Sequence, residues 1–259
     1  MALAQGQKTQ IITVITDCLR SKFRNYRPES GNMPFHFRLL GKDRMALYSF
    51  IQSLNTTFGT SIFEPVAVTL ATNHFEKAQS QYIVGKTIYE KTQQSIQQII
   101  NQISINGNPD KKKEVDLIRH SLTGKIAQLK TVKVDLFVEN ANGEQFLFDL
   151  KTAKSNISNF KDFKRTLLEW VGIALTQNSK ANVHTLIAIP YNPYEPKPYE
   201  RWTMKGMLDM KNELKVAEEF WNFLGGDGAY DDLLDCFEEA GIELRPEIDA
   251  YFGKFKSYS

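Results

Sequence analysis

The alternation of apolar and polar side chains predicts a β-hairpin in the middle of the chain. Residues 132–138 are rich in β-branched and aromatic side chains, which favour a strand, and residues 145–151 form a second such run. Between them, residues 139–143 end in Asn142-Gly143, and Asn-Gly supplies the positive φ that a tight hairpin turn requires. The pattern therefore predicts two antiparallel strands joined by a short turn.

A strand is also predicted at residues 182–190, after an amphipathic helix at 159–177. A strand, helix and strand in this order imply a right-handed crossover and a parallel pair, so the sheet is predicted to be mixed. The fold class is α/β, a mixed central sheet flanked by helices. Helical periodicity predicts the remaining helices at 9–23, 42–54, 59–79, 82–105, 207–223 and 230–240.

The composition is that of an ordinary globular protein. The chain has 259 residues, of which 42% are hydrophobic and 24% charged. No run approaches the roughly 20 apolar residues of a membrane span, so no membrane partner is expected. Cys18 and Cys236 are far apart and the four histidines are scattered, which disfavours a disulfide framework and a structural zinc site. These features predict a protein of a reducing, cytoplasmic compartment.

Charge is distributed unevenly along the chain. The net charge of +2 divides into +9 over residues 1–204 and −7 over residues 205–259. A basic body with an acidic C-terminal region is compatible with a polyanionic partner such as nucleic acid. The alternative is that the charges only keep each surface solvated.

The second strand of the hairpin carries the candidate chemistry. Because side chains alternate along a strand, Asp149 and Lys151 share one face, and the hairpin brings Asp135 toward the same end. Two converging carboxylates can bind a hard divalent cation such as Mg²⁺. A neighbouring ammonium group can orient a water molecule and stabilise charge on a phosphate. This pattern predicts metal-assisted hydrolysis of a phosphodiester; the alternative is an exposed ion pair on an edge strand.

A third carboxylate is a candidate ligand of the same metal. Ser61 and Glu64 match the Ser-x-x-Glu capping box, so Glu64 either caps a helix or points inward as a metal ligand. Glu76, which the periodicity assigns to the same helix, is the second candidate.

Residues 191–202 are predicted to form a stiff exposed loop, because several prolines exclude regular secondary structure. The loop follows the C-terminal end of a strand, where ligand sites of open sheets commonly lie. Its polar side chains could contact DNA and its aromatic side chains could stack, or the loop could be structural. The candidate DNA-binding residues are Asn192, Tyr194, Lys197, Tyr199, Arg201 and Trp202 in the loop, with Lys154, Lys164 and Arg165 upstream.

The hairpin with Asp135 followed by Asp149-Leu150-Lys151 resembles the PD-(D/E)-x-K nuclease superfamily, although Val134 occupies the position of the motif's proline. The segments 160–164, 168–170, 190–199, 201–202 and 219–226 further resemble type II restriction endonucleases that cut GGNCC or GGWCC palindromes. The resemblance implies that Asp135 and Asp149 bind Mg²⁺, which Mn²⁺ could replace, and that Lys151 positions the attacking water. Glu64 fits the extra acidic residue that is common in the superfamily, so it is a candidate third metal ligand.

The same resemblance implies a prokaryotic, cytoplasmic homodimer acting on double-stranded DNA, with a cognate DNA methyltransferase that forms no stable complex with it. We expect one nuclease domain over residues 1–259, with a mostly helical part at 1–130, a catalytic part at 131–204 and a helical acidic part at 205–259. Two other interpretations remain open from the residues: a repair or recombination nuclease of the same superfamily, and a DNA-binding protein that does not cleave.

Overall fold

The computed structural model describes residues 2–28, 33–151, 160–199 and 202–256, except for the side chains of residues 202, 203 and 256. The chain divides into two compact units. The helical unit comprises Met1–Thr69 and Asp227–Ser259, and the sheet unit comprises Leu70–Gly226. The expectation of a single nuclease domain with the boundaries given above stays a prediction.

The sheet unit is built on a five-stranded sheet with the order β1-β2-β3-β4-β5. The first three strands pair antiparallel, whereas β3, β4 and β5 pair parallel, so the predicted mixed sheet and α/β class are confirmed. The predicted turn is also present, since Gly143 has a φ of +75° and its amide donates to the carbonyl of Asn140. The strands are β1 Lys77–Tyr89, β2 Ile126–Glu139, β3 Glu144–Leu150, β4 Asn182–Ile189 and β5 Leu214–Val216.

Helices cover both faces of β3. The side chain of Phe148 packs against Phe220 and Phe223 of α9 on one face. On the other face lies α7, the predicted crossover helix between β3 and β4. Leu147, Phe148 and Asp149 are all buried and β3 lies between β2 and β4, so the alternative of an exposed ion pair on an edge strand is wrong. The helices of the sheet unit are α5 Glu90–Asn106, α6 Lys111–His120, α7 Phe160–Gln177, α8 Trp202–Lys205 and α9 Glu218–Gly225.

Two segments predicted as helix contain strands. Residues 77–89 form β1, which pairs along β2, and the helix begins only at Glu90. Residues 214–216 form β5, which extends the sheet beyond β4. Both segments acquire their strand conformation from a partner strand that is distant in sequence, and local periodicity carries little information about such pairing.

The helical unit joins the N-terminal and C-terminal parts of the chain. Lys8 of α1 forms an ion pair with Asp232 of α10, whose other carboxylate oxygen accepts the amides of Ala2 and Leu3. Its helices are α1 Gln5–Asn25, α2 Pro34–Leu40, α3 Lys42–Thr57, α4 Glu64–Ala71, α10 Ala229–Glu243 and α11 Arg245–Lys256, of which α2 and α11 are not predicted by the sequence pattern. None of the helices in the described residues combines the length and apolar character of a membrane-spanning helix.

Candidate active site

The open end of the hairpin brings the two predicted aspartates together. Leu136 of β2 pairs with Phe148 of β3, so the next position in this register places Asp135 opposite Asp149. The backbone amide of Leu150 donates to the Asp135 Oδ2 atom over 2.8 Å. The Asp135 carboxyl group is also near enough to raise the pKa of Asp149. Two oxygen-donor groups therefore share one place at the end of the paired strands.

Lys151 completes this group. Its Nζ atom lies 2.6 Å from the Asp149 Oδ1 atom, and its backbone amide donates to the carbonyl of Ala188 on β4 over 2.9 Å. The Asp149 side chain is 10% exposed and that of Lys151 is 30% exposed. The carboxylate is thus almost enclosed, while the ammonium group lies where solvent or a substrate can reach it.

Burial changes the acid strength of this site. Burial raises the pKa of Asp149 to about 6, the Asp135 carboxyl adds to the rise, and the Lys151 ammonium opposes it. A bound cation would favour the ionised form, so the donor set of Asp135 and Asp149 fits a hard divalent metal ion. Within the part of the chain that the structure describes, no three His, Cys, Asp or Glu side chains are grouped as a metal site.

The raised pKa of Asp149 predicts how the stability of the metal-free protein depends on pH. An unfolded aspartate ionises near pH 3.9, whereas Asp149 in the folded protein ionises near pH 6. Between these values only the folded state holds the proton, so raising the pH favours unfolding. We expect the wild type to lose about 2 kcal/mol relative to Asp149→Asn from pH 4 to pH 6, and little more above it.

The measurement is urea unfolding of both proteins in EDTA from pH 4 to pH 8. A difference in unfolding free energy that does not change with pH would contradict the raised pKa of Asp149.

The structure decides against Glu76 as a ligand beside Asp135. Glu76 is exposed, and its amide donates to the carbonyl of Glu139 at the turn end of the hairpin. Asp135 lies four residues from Glu139 along β2, which corresponds to about 13 Å. Glu76 also precedes β1 and lies on no helix, so its assignment to a helix with Glu64 is wrong.

Glu64 is buried, with 3% of its surface exposed, in the first turn of α4. The capping-box interpretation is wrong, because Ser61 lies inside a π-helical turn, Phe58–Phe63, that joins α3 directly to α4. A helix that continues through this segment has no N-terminus for Ser61 to cap. Glu64 belongs to the helical unit, and its role as a third metal ligand stays a prediction.

A family model described as "Type II restriction endonuclease, HinfI" matches residues 3–241. This chain belongs to that family. It is 28% identical over 221 residues to the type II restriction enzyme HgiCII of Herpetosiphon aurantiacus, which covers 83% of this chain and 80% of the relative. It is also 25% identical over 239 residues to the type II restriction enzyme MjaII of Methanocaldococcus jannaschii, covering 81% of this chain and 63% of the relative.

The family assignment gives the type of activity of this protein. The protein is a type II restriction endonuclease with a restriction-endonuclease-like fold, a site-specific nuclease of double-stranded DNA. Enzymes of this type generally use divalent metal ions, in agreement with the paired carboxylates at the hairpin end. The interpretations as a repair nuclease or as a non-cleaving DNA-binding protein are therefore set aside.

One predicted DNA contact of the endonuclease is wrong. Lys164 is fully buried, and its Nζ atom lies 2.6 Å from Glu213 and 2.5 Å from Glu114. Periodicity suggested an exposed face of α7, but α6 and the segment before β5 cover it with carboxylates. The neighbouring Arg165 is half-buried and donates to the side chain of Gln97 over 2.7 Å. Its contact with DNA stays a prediction.

The proline-rich loop of the endonuclease is partly organised by its own side chains. Asn192 donates to the carbonyl of Lys197 and accepts the amide of Tyr194, so its amide group is engaged inside the loop. The rings of Tyr194 and Tyr199 pack together at 5.8 Å, and Lys197 is exposed. Contacts of these four residues with DNA stay predictions. Lys154, Arg201 and the side chain of Trp202 lie outside the described residues.

The positions of two residues beside the site are not indicated by the sequence pattern. The ring of Phe163 on α7 lies 5.0 Å from the Lys151 Nζ atom. Gln81 of β1 stands opposite Asp135 in the β1–β2 register and has a φ of +51°, which is unusual for a residue with a side chain. No local pattern indicates either feature, because both depend on the neighbouring element. Irregular backbone of this kind concentrates at functional sites.

Proposed function

We propose that this endonuclease hydrolyses both strands of DNA at a short palindrome of the GGNCC or GGWCC kind, with Mg²⁺ as its metal. The observation that carries the proposal is the group formed by Asp135, Asp149 and Lys151 at the open end of the hairpin. The motif in the chain and the family assignment both support phosphodiester hydrolysis at this group.

Each residue of the group has a distinct role in this proposal. Asp135 and Asp149 would bind Mg²⁺, or Mn²⁺ in its place. A bound divalent ion polarises the phosphate and lowers the pKa of a coordinated water. Lys151 holds the attacking water and stabilises the charge that develops on the phosphate oxygens. Water adds to phosphorus as one phosphorus–oxygen bond of the backbone breaks, which leaves a phosphate monoester and a hydroxyl group.

A palindromic site also supports a homodimer, since two identical subunits related by a two-fold axis match two identical half-sites. We propose that the enzyme acts in the prokaryotic cytoplasm beside a DNA methyltransferase that protects the same sequence. Protection requires only that both enzymes read one sequence, so no stable complex between them is expected.

The test is digestion of a long phage DNA with the purified protein, in Mg²⁺ and in EDTA, followed by gel electrophoresis. We expect discrete fragments only with Mg²⁺, and sequencing of their ends gives the site. A smear would indicate nuclease activity without the proposed specificity. Intact DNA in both lanes, with a mobility shift, would contradict cleavage. Chromatography with light scattering measures whether the protein is a dimer.

A substitution of Lys197 is expected to change the affinity for DNA. It is exposed on the loop that follows β4. If Lys197 contacts a phosphate, Lys197→Ala weakens DNA binding on all sequences and reduces the slope of log K against log salt by about one. The matched control is Lys180→Ala, an exposed lysine that precedes the other end of β4. Equal affinities and equal salt slopes of the two variants would remove Lys197 from the DNA interface.

A further inference from the structure

The ammonium group of Lys151 has two neighbours of different chemistry. The Asp149 Oδ1 atom lies 2.6 Å from the Nζ atom, and the centre of the Phe163 ring lies 5.0 Å from it. A cation within about 6 Å of a ring centroid is attracted by the negative face of the ring. The Lys151 side chain has several rotatable bonds, so an ammonium group held from one side alone would sample other positions.

Phe163 is itself held in place. Its ring packs edge-to-face on the ring of Phe160 at 5.9 Å. The next residue, Lys164, is fully buried and bound to Glu114 of α6 and to Glu213, which directly precedes β5. These ion pairs are buried, and separating a buried pair costs several kcal/mol of stability. They therefore fix the position of this turn of α7 along the sheet. These contacts therefore hold the Phe163 ring next to Lys151.

The two neighbours are not equivalent during catalysis. In the proposed function, the Asp149 carboxylate binds a metal ion. A carboxylate that binds a metal ion attracts a neighbouring ammonium group less strongly. The Phe163 ring attracts the ammonium group without competing for the metal, and it does not remove the proton donors that Lys151 directs at water or phosphate. A ring at this position can keep Lys151 in place while Asp149 is engaged.

We propose that Phe163 is a positioning residue for Lys151: its ring fixes the lysine ammonium group beside the Asp135–Asp149 pair. The inference rests on the proposed function for its effect on cleavage, but the contact itself can be measured without metal or DNA. Phe163 acts through Lys151 and touches no reacting atom.

The matched variants are Phe163→Leu, which removes the ring, and Phe163→Trp, which restores an aromatic face. The control is Phe223→Leu. Phe223 is also half-buried in the sheet unit, and its ring lies 4.7 Å from the Lys215 Nζ atom, so this variant loses the same kind of contact away from Lys151. Thermal melts verify folding, and Phe163→Met, which is closer in length to Phe, is used if Phe163→Leu does not fold.

The first measurement is single-turnover cleavage of a cognate duplex, with the dissociation constant of the same duplex measured in EDTA. We expect Phe163→Leu to cleave roughly 5- to 20-fold more slowly with an unchanged dissociation constant. Phe163→Trp and Phe223→Leu should cleave within about twofold of the wild type, since both retain a ring over Lys151. A wild-type rate in Phe163→Leu, or equally slow cleavage by Phe163→Leu and Phe163→Trp, would overturn the proposal.

The second measurement is the NMR spectrum of the metal-free protein with ¹³C-labelled lysine, in which Lys151→Arg identifies the Lys151 signal. We expect an upfield ring-current shift of the Lys151 ε-methylene group that disappears in Phe163→Leu and persists in Phe163→Trp. An unshifted signal in the wild type would overturn the contact. If the wild type does not cleave DNA, the proposed function fails, while this spectrum still decides the ring–ammonium contact.

Discussion

Asp149→Asn is expected to reduce the rate of DNA cleavage by on the order of 10²–10³-fold or more, while the affinity for cognate DNA in EDTA stays close to that of the wild type. The substitution keeps the shape of the side chain but removes the charge that would bind the metal. It also removes the anionic partner that lies 2.6 Å from the Lys151 Nζ atom. Binding depends on contacts along the DNA, so it should change little.

The measurement combines single-turnover cleavage with a gel-shift titration of the same duplex. The matched control is Glu144→Gln, an isosteric change on β3 at the end opposite to Asp149. Glu144 interacts with the side chains of Asn140 and Asn182 near the turn, so its substitution should leave cleavage nearly unchanged. Full cleavage by Asp149→Asn, or equal losses in both variants, would refute the assigned role of Asp149.

Glu213→Gln is expected to destabilise the protein by about 3–5 kcal/mol, because it leaves two buried ammonium groups with too little negative charge. The Glu213 carboxylate lies 2.9 Å from the Lys111 Nζ atom and 2.6 Å from the Lys164 Nζ atom. Burial alone would raise the pKa of this carboxyl, but the two ammonium groups outweigh burial and lower its pKa. Burial lowers the pKa of Lys111.

The measurement is the free energy of unfolding in urea near neutral pH. Glu243→Gln is the control, because Glu243 pairs with Arg20 at the surface and exposed pairs contribute at most about 1 kcal/mol. Adding Lys111→Met to Glu213→Gln restores the balance of charge, so the double variant should be more stable than the sum of the single effects predicts. A loss below 1 kcal/mol in Glu213→Gln would contradict the buried network.

The buried ion-pair network and the candidate active site are linked through α7. The buried network holds α6, α7 and the start of β5 against the sheet, and α7 in turn presents Phe163 to Lys151. A substitution in this network is therefore expected to affect cleavage through the position of Lys151. Measuring cleavage of Glu213→Gln well below its melting temperature separates this effect from global unfolding.

The sequence by itself determined the hairpin, the parallel crossover and the pairing of Asp135 with the Asp149-Leu150-Lys151 segment. Each of these depends on nearby residues: the Asn142-Gly143 turn sets the register, and two-residue alternation then decides which side chains share a face. The bounds of α7 and β4 follow from apolar periodicity, and the structure confirms them within one or two residues. The chemical roles of the three site residues stay predictions.

Only the tertiary structure decided which polar residues are buried and which segments become edge strands. Lys164 looks like a solvent-facing residue in the helical pattern, and its partner Glu213 is 49 residues away along the chain. The segments of β1 and β5 adopt a strand conformation only through pairing with β2 and β4, respectively. The Phe163 ring near Lys151 likewise belongs to a different element, α7. Such features depend on contacts between distant residues, and the free energy of these contacts is absent from any local pattern.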